Sequence, residues 1–173
     1  MKRIESFQVN HLTLMPGVYK SRQDDISPLD AFQEIGEEVI SHDQLDPSRI
    51  YPVTTYDIRM TRPNFEPVMS TGEIHAIEHI GATYLRNQPE LKYRVIYWGP
   101  MGCRTGFYLI LTGAVPVETV RKLMINVFRF IASFEGDIPG ATPEECGNYS
   151  DMDLNAAKTR AEAYLRVLTE ERG

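Results

Sequence analysis

Residues 70–89 constrain this chain more tightly than any other stretch. Ser70 followed by Glu73 is a capping box, the reciprocal pairing that starts a helix. Ile74, Ile77, Ile80, Ala82 and Tyr84 then supply apolar surface, and Pro89 stops the run. The spacing predicts a helix over 70–87. Inside it lies His75-Ala76-Ile77-Glu78-His79. Residues four apart on a helix share a face, so His75 and His79 can grip one metal ion. Glu78 flanks that face, close enough to move protons without being a ligand. The order His-x-x-Glu-His is the reverse of the zinc-protease motif. Two partly exposed histidines and a solvated glutamate would leave the same letters, so the rest of the chain has to decide.

A chain of 173 residues, 42% hydrophobic and 24% charged, is long enough for one soluble domain with a core. Its net charge of -6 argues against nucleic acid or an anionic membrane as partner. No run is apolar enough to span a bilayer, and no apolar core of a signal peptide follows Met1-Lys2-Arg3. The expected location is the cytoplasm, where Cys103 and Cys146 are expected as thiols.

Alternation predicts a strand over 4–14, with Ser6 and His11 near its ends, and a turn at Pro16-Gly17. Residues 21–48 are the hardest to read. Ser27-Pro28 followed by Leu29, Phe32, Ile35 and Val39 predicts a short amphipathic helix over 28–40. His42 then falls in a polar loop, as a structural or exposed side chain. A strand over 50–61 puts Asp57 and Arg59 on one sheet face. A charged pair on an exposed face is the common case; if that face lines a pocket, Arg59 would bind a carboxylate or orient an acid. Further strands are expected over 92–98 and 107–111. Between them, Gly99, Gly102 and Gly106 surround Cys103, which implies a tightly folded loop. Arg104 beside Cys103 would favour the thiolate, although an inert buried cysteine is the usual alternative. Residues 116–134 carry the stripe of a packing helix. Cys146 sits in a loop over 135–153, and an amphipathic helix runs from Leu154 to about Leu168. Two histidines and a thiolate around a divalent ion, with one position open, make a catalytic rather than a structural arrangement.

Five blocks, taken together and in order, carry a resemblance to a known family. They are Glu5-Ser6-Phe7 with His11; Tyr56-Asp57-Ile58-Arg59 with Arg62-Pro63-Asn64; His75-x-x-Glu78-His79 with Leu85-Arg86; Gly102-Cys103-Arg104-Thr105-Gly106-Phe107-Tyr108; and Ile138-Pro139-Gly140 with Glu145-Cys146-Gly147-Asn148. The chain resembles the S-ribosylhomocysteine lyases of the LuxS family over nearly its whole length. The resemblance implies a single α+β domain spanning 1–173, an antiparallel sheet packed by helices, and a homodimer with active sites at the interface. It implies His75, His79 and Cys146 as ligands of one divalent metal, ferrous iron (Fe2+) in the cell and often zinc (Zn2+) or cobalt (Co2+) after purification. Cys103 and Glu78 would be the acid–base pair, and Ser6, His11 and Arg59 would contact S-ribosylhomocysteine. The 21–48 segment is longer than the family's short turn, and Asn10 stands where an aspartate commonly precedes the histidine.

Two other classes use some of the same residues. A metallopeptidase with Glu78 as base would recruit a distant glutamate as third ligand in a much larger chain. A zinc-stabilised module would need a closed four-ligand site, no Glu78, and would unfold without its metal.

Overall fold

A computed structural model describes residues 12–26, 51–89 and 94–170. Among these residues the sheet has four strands: β1 (Gly17–Ile26), β2 (Tyr51–Arg59), β3 (Val95–Pro100) and β4 (Gly106–Thr112). They are ordered β1-β2-β4-β3 and every pair is antiparallel. Among the described residues three α-helices accompany them, α1 (Thr71–Arg86), α2 (Val117–Ala132) and α3 (Leu154–Thr169). The expected α+β class is therefore observed.

Register decides what each sheet face is for. Tyr56 pairs with Leu109 and Ile58 with Phe107, and all four are fully buried in the core. Side chains alternate along a strand, so Asp57 and Arg59 stand on the opposite face, with Tyr108 directly across from Asp57. α1 packs on the core face against β3. A Cβ at Gly81 would stand 2.8 Å from Trp98 Nε1, so the bare backbone there sets how closely helix meets strand. Trp98 stacks on Phe107, ring centres 4.7 Å apart, and meets Phe128 of α2 edge-on. Phe128 in turn meets Tyr164 of α3 at 4.8 Å. This aromatic chain joins sheet and helices in one core.

The α1 start forms as its sequence requires. Ser70 Oγ accepts from the Glu73 amide at 3.2 Å, and Glu73 Oε2 accepts from the Ser70 amide at 2.6 Å. Ile74, Ile77, Ile80 and Leu85 point inward. On α2, Val120, Leu123, Met124, Val127, Phe128 and Ile131 form the buried stripe, and on α3 the small residues Ala157 and Ala161 let it sit close. Arg160 Nε reaches Glu73 Oε1 at 2.9 Å, tying α3 to the capped end of α1.

The amino-terminal third differs from expectation. The part of the 4–14 strand that is described, residues 12–14, is turn and irregular. Residues 4–11 of that expected strand lie outside the described residues. β1 begins at Gly17, where a turn was expected, and pairs with β2 through Ile26. The apolar pattern is weak because β1 is an edge strand among the described residues: Lys20, Arg22 and Gln23 are exposed, and charge is how edges avoid further pairing. Tyr164 donates to the Gly17 carbonyl at 2.8 Å and anchors its start. The 28–40 helix and His42 lie outside the described residues. β3 runs later than expected, into Gly99-Pro100, which the other sheet edge tolerates.

Burial alone would raise the Glu73 pKa, but the Ser70 amide and hydroxyl and the Arg160 guanidinium together hold it below the usual carboxylate range. A carboxylate depressed in the folded state stabilises above its unfolded pKa, and that contribution is lost as pH falls through the folded value. Glu73→Gln should therefore cost on the order of 1 kcal/mol or more at pH 7. The gap from wild type should close as the pH drops below the ordinary carboxylate range. Urea denaturation from pH 7 to pH 3 measures this; a pH-independent gap would mean that Glu73 acts only as a neutral cap.

Candidate active site

α1 presents His75 and His79 on one face, ring centres 4.9 Å apart and nearly perpendicular. The loop after α2 brings Cys146 to them, its Sγ 3.3 Å from His75 Nε2. Ligand atoms of His75, His79 and Cys146 all lie within 4.8 Å of one another, and each residue is half-buried. Two donors on one tetrahedral zinc-sized ion stand about 3.5 Å apart, so the sulfur–nitrogen pair already has the required separation. Two imidazoles and a thiolate also suit a borderline ion such as zinc or ferrous iron. The donor set fits one divalent metal.

An open cleft of about 780 Å³ lies over the two histidines, within the size range of small-molecule sites. His75, Glu78 and His79 line it, facing Tyr97 and Trp98 of β3 and Glu145 of the loop. Glu78 thus shares the cleft with both histidines, as its place on the helix requires.

The second group gathers on the far face of the sheet. Arg59 is 2% exposed and Asp57 4%, so the pair is buried rather than lying on an exposed face. Asp57 accepts from Arg59 Nε at 3.0 Å and Nη2 at 2.5 Å, a bidentate pairing that fixes the guanidinium plane. The remaining nitrogen, Nη1, donates to Thr105 Oγ1 at 2.5 Å and lies 3.9 Å from Cys103 Sγ. Thr105 Oγ1 is itself 3.0 Å from that sulfur. Burial would lower the Arg59 pKa, but the Asp57 carboxylate more than offsets it and holds the cation. Tyr108, opposite Asp57, has its pKa raised by burial first and by the Asp57 charge second.

Cys103 is exposed in a tight turn closed by Arg104 N–H donating to the Met101 carbonyl at 2.9 Å. The guanidinium placed beside its sulfur is that of Arg59, where sequence proximity had pointed to Arg104. Arg104 takes the left-handed conformation of that turn, φ +59. Of the flanking glycines, Gly102 has open space where a Cβ would be, whereas a Cβ at Gly106 would strike the Ile58 carbonyl. Thr105 was missed as a sulfur partner: it lies in the Cys103 block, but its contact with Arg59 depends on strand pairing. Ser6 and His11 lie outside the described residues. Arg59 stands on the sheet face opposite Tyr56 and Ile58 of the core, and the cleft lining includes neither Cys103 nor Arg59.

Comparison with known proteins places this geometry in context. The family described as S-Ribosylhomocysteinase (LuxS) matches residues 38–172. A protein of Finegoldia magna named S-ribosylhomocysteine lyase is 50% identical over 168 residues, covering 97% of this chain and 92% of its own length. Proteins of the same name from Clostridium beijerinckii and Phocaeicola vulgatus are 48% and 44% identical, over 95% and 98% of this chain and 90% and 92% of theirs.

Removing one member of a buried ion pair leaves the other charge unpaired, a loss of about 3–5 kcal/mol. Asp57→Ala should show it as a lowered urea midpoint. The double variant Asp57→Leu/Arg59→Met should recover most of that loss, since an apolar pair of similar volume carries no charge. Equal destabilisation of both variants would mean that shape, and not charge pairing, governs this face.

Proposed function

The chain belongs to the S-ribosylhomocysteinase (LuxS) family, and from that premise we propose that it cleaves S-ribosyl-L-homocysteine to L-homocysteine and 4,5-dihydroxy-2,3-pentanedione, the autoinducer-2 precursor. Its relatives are lyases by name over nearly their full length, and so is this chain a lyase. The observation that carries the finer reading is the meeting of the His75, His79 and Cys146 ligand atoms within 4.8 Å, with both histidines and Glu78 lining one open cleft. Those three residues would hold one divalent ion, ferrous iron in the cell, with zinc or cobalt as substitutes on purification. Once bound, such an ion supplies Lewis-acid polarisation of a substrate carbonyl.

The protein's own side chains move the protons. No neighbour acidifies the carbon beside the substrate's thioether, so the carbonyl must first migrate along the sugar. Cys103, as thiolate, takes a proton from the carbon next to the carbonyl and returns it one carbon along. Arg59 Nη1 and the Thr105 hydroxyl stand beside that sulfur, at 3.9 Å and 3.0 Å. Glu78 carries protons between the substrate oxygens. After two such shifts, loss of a proton from the carbon flanking the carbonyl breaks the carbon–sulfur bond, and homocysteine leaves. No oxidant is consumed. Ser6, His11 and Arg59 would contact the substrate.

The assembly proposed is a homodimer with its active sites at the interface. Support comes from the separation of the two groups: the cleft over the histidines lacks Cys103, which sits in the β3–β4 loop, and a second copy can bring one to the other. Small-molecule substrate and net charge agree with a cytoplasmic enzyme that binds neither nucleic acid nor membrane. Among the described residues no helix is long and apolar enough to cross a bilayer.

The purified protein should release free thiol from S-ribosylhomocysteine; none, with metal loaded, would end the proposal. Cys103→Ala and Glu78→Gln should keep their metal and lose activity by a factor on the order of 10² or more. Homocysteine release at the wild-type rate from either would show that other groups transfer the protons. Elemental analysis of Cys146→Ala should find the metal gone.

Sedimentation should give about twice the 19.8 kDa chain mass, and a mixture of inactive Cys103→Ala and Glu78→Gln chains should regain activity if each site draws on both copies. A fully active monomer excludes the interface site.

A further inference from the structure

We propose that the turn Ile138–Ala141 is a positioning device for the metal site, fixing which nitrogen of His79 faces the metal. The inference rests on the metal-site reading above and assigns a task to residues with no ligand atom of their own in that site. His79 Nδ1 lies 2.7 Å from the Pro139 carbonyl oxygen. A carbonyl only accepts, so this bond exists only when Nδ1 carries the proton. Neutral imidazole has one N–H, which leaves Nε2 with the free lone pair, and a metal ligand needs that lone pair. The Pro139 carbonyl therefore selects the tautomer in which Nε2 coordinates, and it holds the ring plane as well.

The carbonyl is aimed by the glycine that follows. Ala141 N–H donates to the Ile138 carbonyl at 3.0 Å, closing a four-residue turn. Pro139 occupies its second position and Gly140 its third, with φ +73. That is the type II form, which asks for positive φ at the third position and favours proline at the second. The commoner type I form flips the central peptide, and the Pro139 oxygen would then point away from His79. Gly140 also supplies clearance. A Cβ there would stand 3.0 Å from His79 Nδ1 and 3.3 Å from Cε1, pressing on the ring that the carbonyl must reach. Backbone form and missing side chain serve the same contact, and a side chain at 140 removes both.

Two measurements test it. In the metal-free wild-type chain, imidazole nitrogen-15 NMR should show the His79 proton on Nδ1; a proton on Nε2 overturns the inference whatever any variant does. In cobalt titrations against a competing chelator, Gly140→Ala should bind about 10–100-fold more weakly, the range for losing a ligand's orienting partner. Gly140→Asn separates the two causes, since asparagine tolerates positive φ but carries a Cβ. It should remain weakened, with shifted ligand-field bands at saturation. Wild-type affinity and spectrum in both folded variants would overturn the inference. Failure of the wild-type chain to bind cobalt at all would remove the metal reading, and this one with it.

Discussion

The rest of the structure depends on the rotation of α1 about its own axis. One residue of helix turns through about 100°, so a slip of a single position would carry His75 and His79 out of the cleft together. Four contacts prevent that slip. The capping box fixes the first turn, Arg160 holds the capping glutamate from outside, the isoleucines bury the inner face, and Gly81 lets the helix settle on Trp98. Only the last is a shape constraint that no other residue type could meet without moving β3. The precision of the histidine pair is thus held by core packing on the other side of the same helix.

The sheet divides labour in a comparable way. Its core face takes part in the aromatic chain from Trp98 and Phe107 through Phe128 to Tyr164. Its other face carries a buried ion pair, and such pairs contribute little net stability against apolar replacements. What Asp57 contributes is direction. Two of the three guanidinium nitrogens of Arg59 are committed to it, so the third can point only toward Thr105 and Cys103. A lysine could supply the charge at this place but not the fixed plane.

Much of this was legible in the sequence where one local rule governs. The α1 boundaries followed from Ser70, Glu73 and the apolar period, and the α2 and α3 stripes from spacing alone. Asp57 and Arg59 sharing a face followed from the strand period, but their burial did not, because it depends on what covers the sheet. β1 escaped notice because Lys20, Arg22 and Asp24 are the residues of an edge, and an edge strand has little apolar pattern to read. Arg104 was taken as the cation beside Cys103 because it is the nearest in sequence. The register Arg59↔Gly106 instead brings Arg59 there across the β2–β4 pair, a contact no local reading contains. The loop from Pro139 to Cys146 could be matched to a family as a block, but not to particular atoms of the histidines.

That loop has a geometric problem to solve. It meets His79 at Pro139 and His75 at Cys146, so it runs backward along α1 by one helical turn. Four helical residues advance about 6 Å, while an extended chain from Pro139 to Cys146 would cover more than about 20 Å. The excess length is taken up by two successive turns. The first closes from Ala141 to Ile138, and the second from Cys146 to Thr142 at 3.0 Å, with the Thr142 hydroxyl bonded to Glu145. Because both turns are closed by backbone bonds, the backbone separation of Pro139 and Cys146 is set within the loop. The helix fixes the spacing of the two imidazoles and the loop fixes the spacing of the two residues that meet them. Agreement between these independently built rulers, one α-helical and one made of turns, is what a preformed site for a single ion requires.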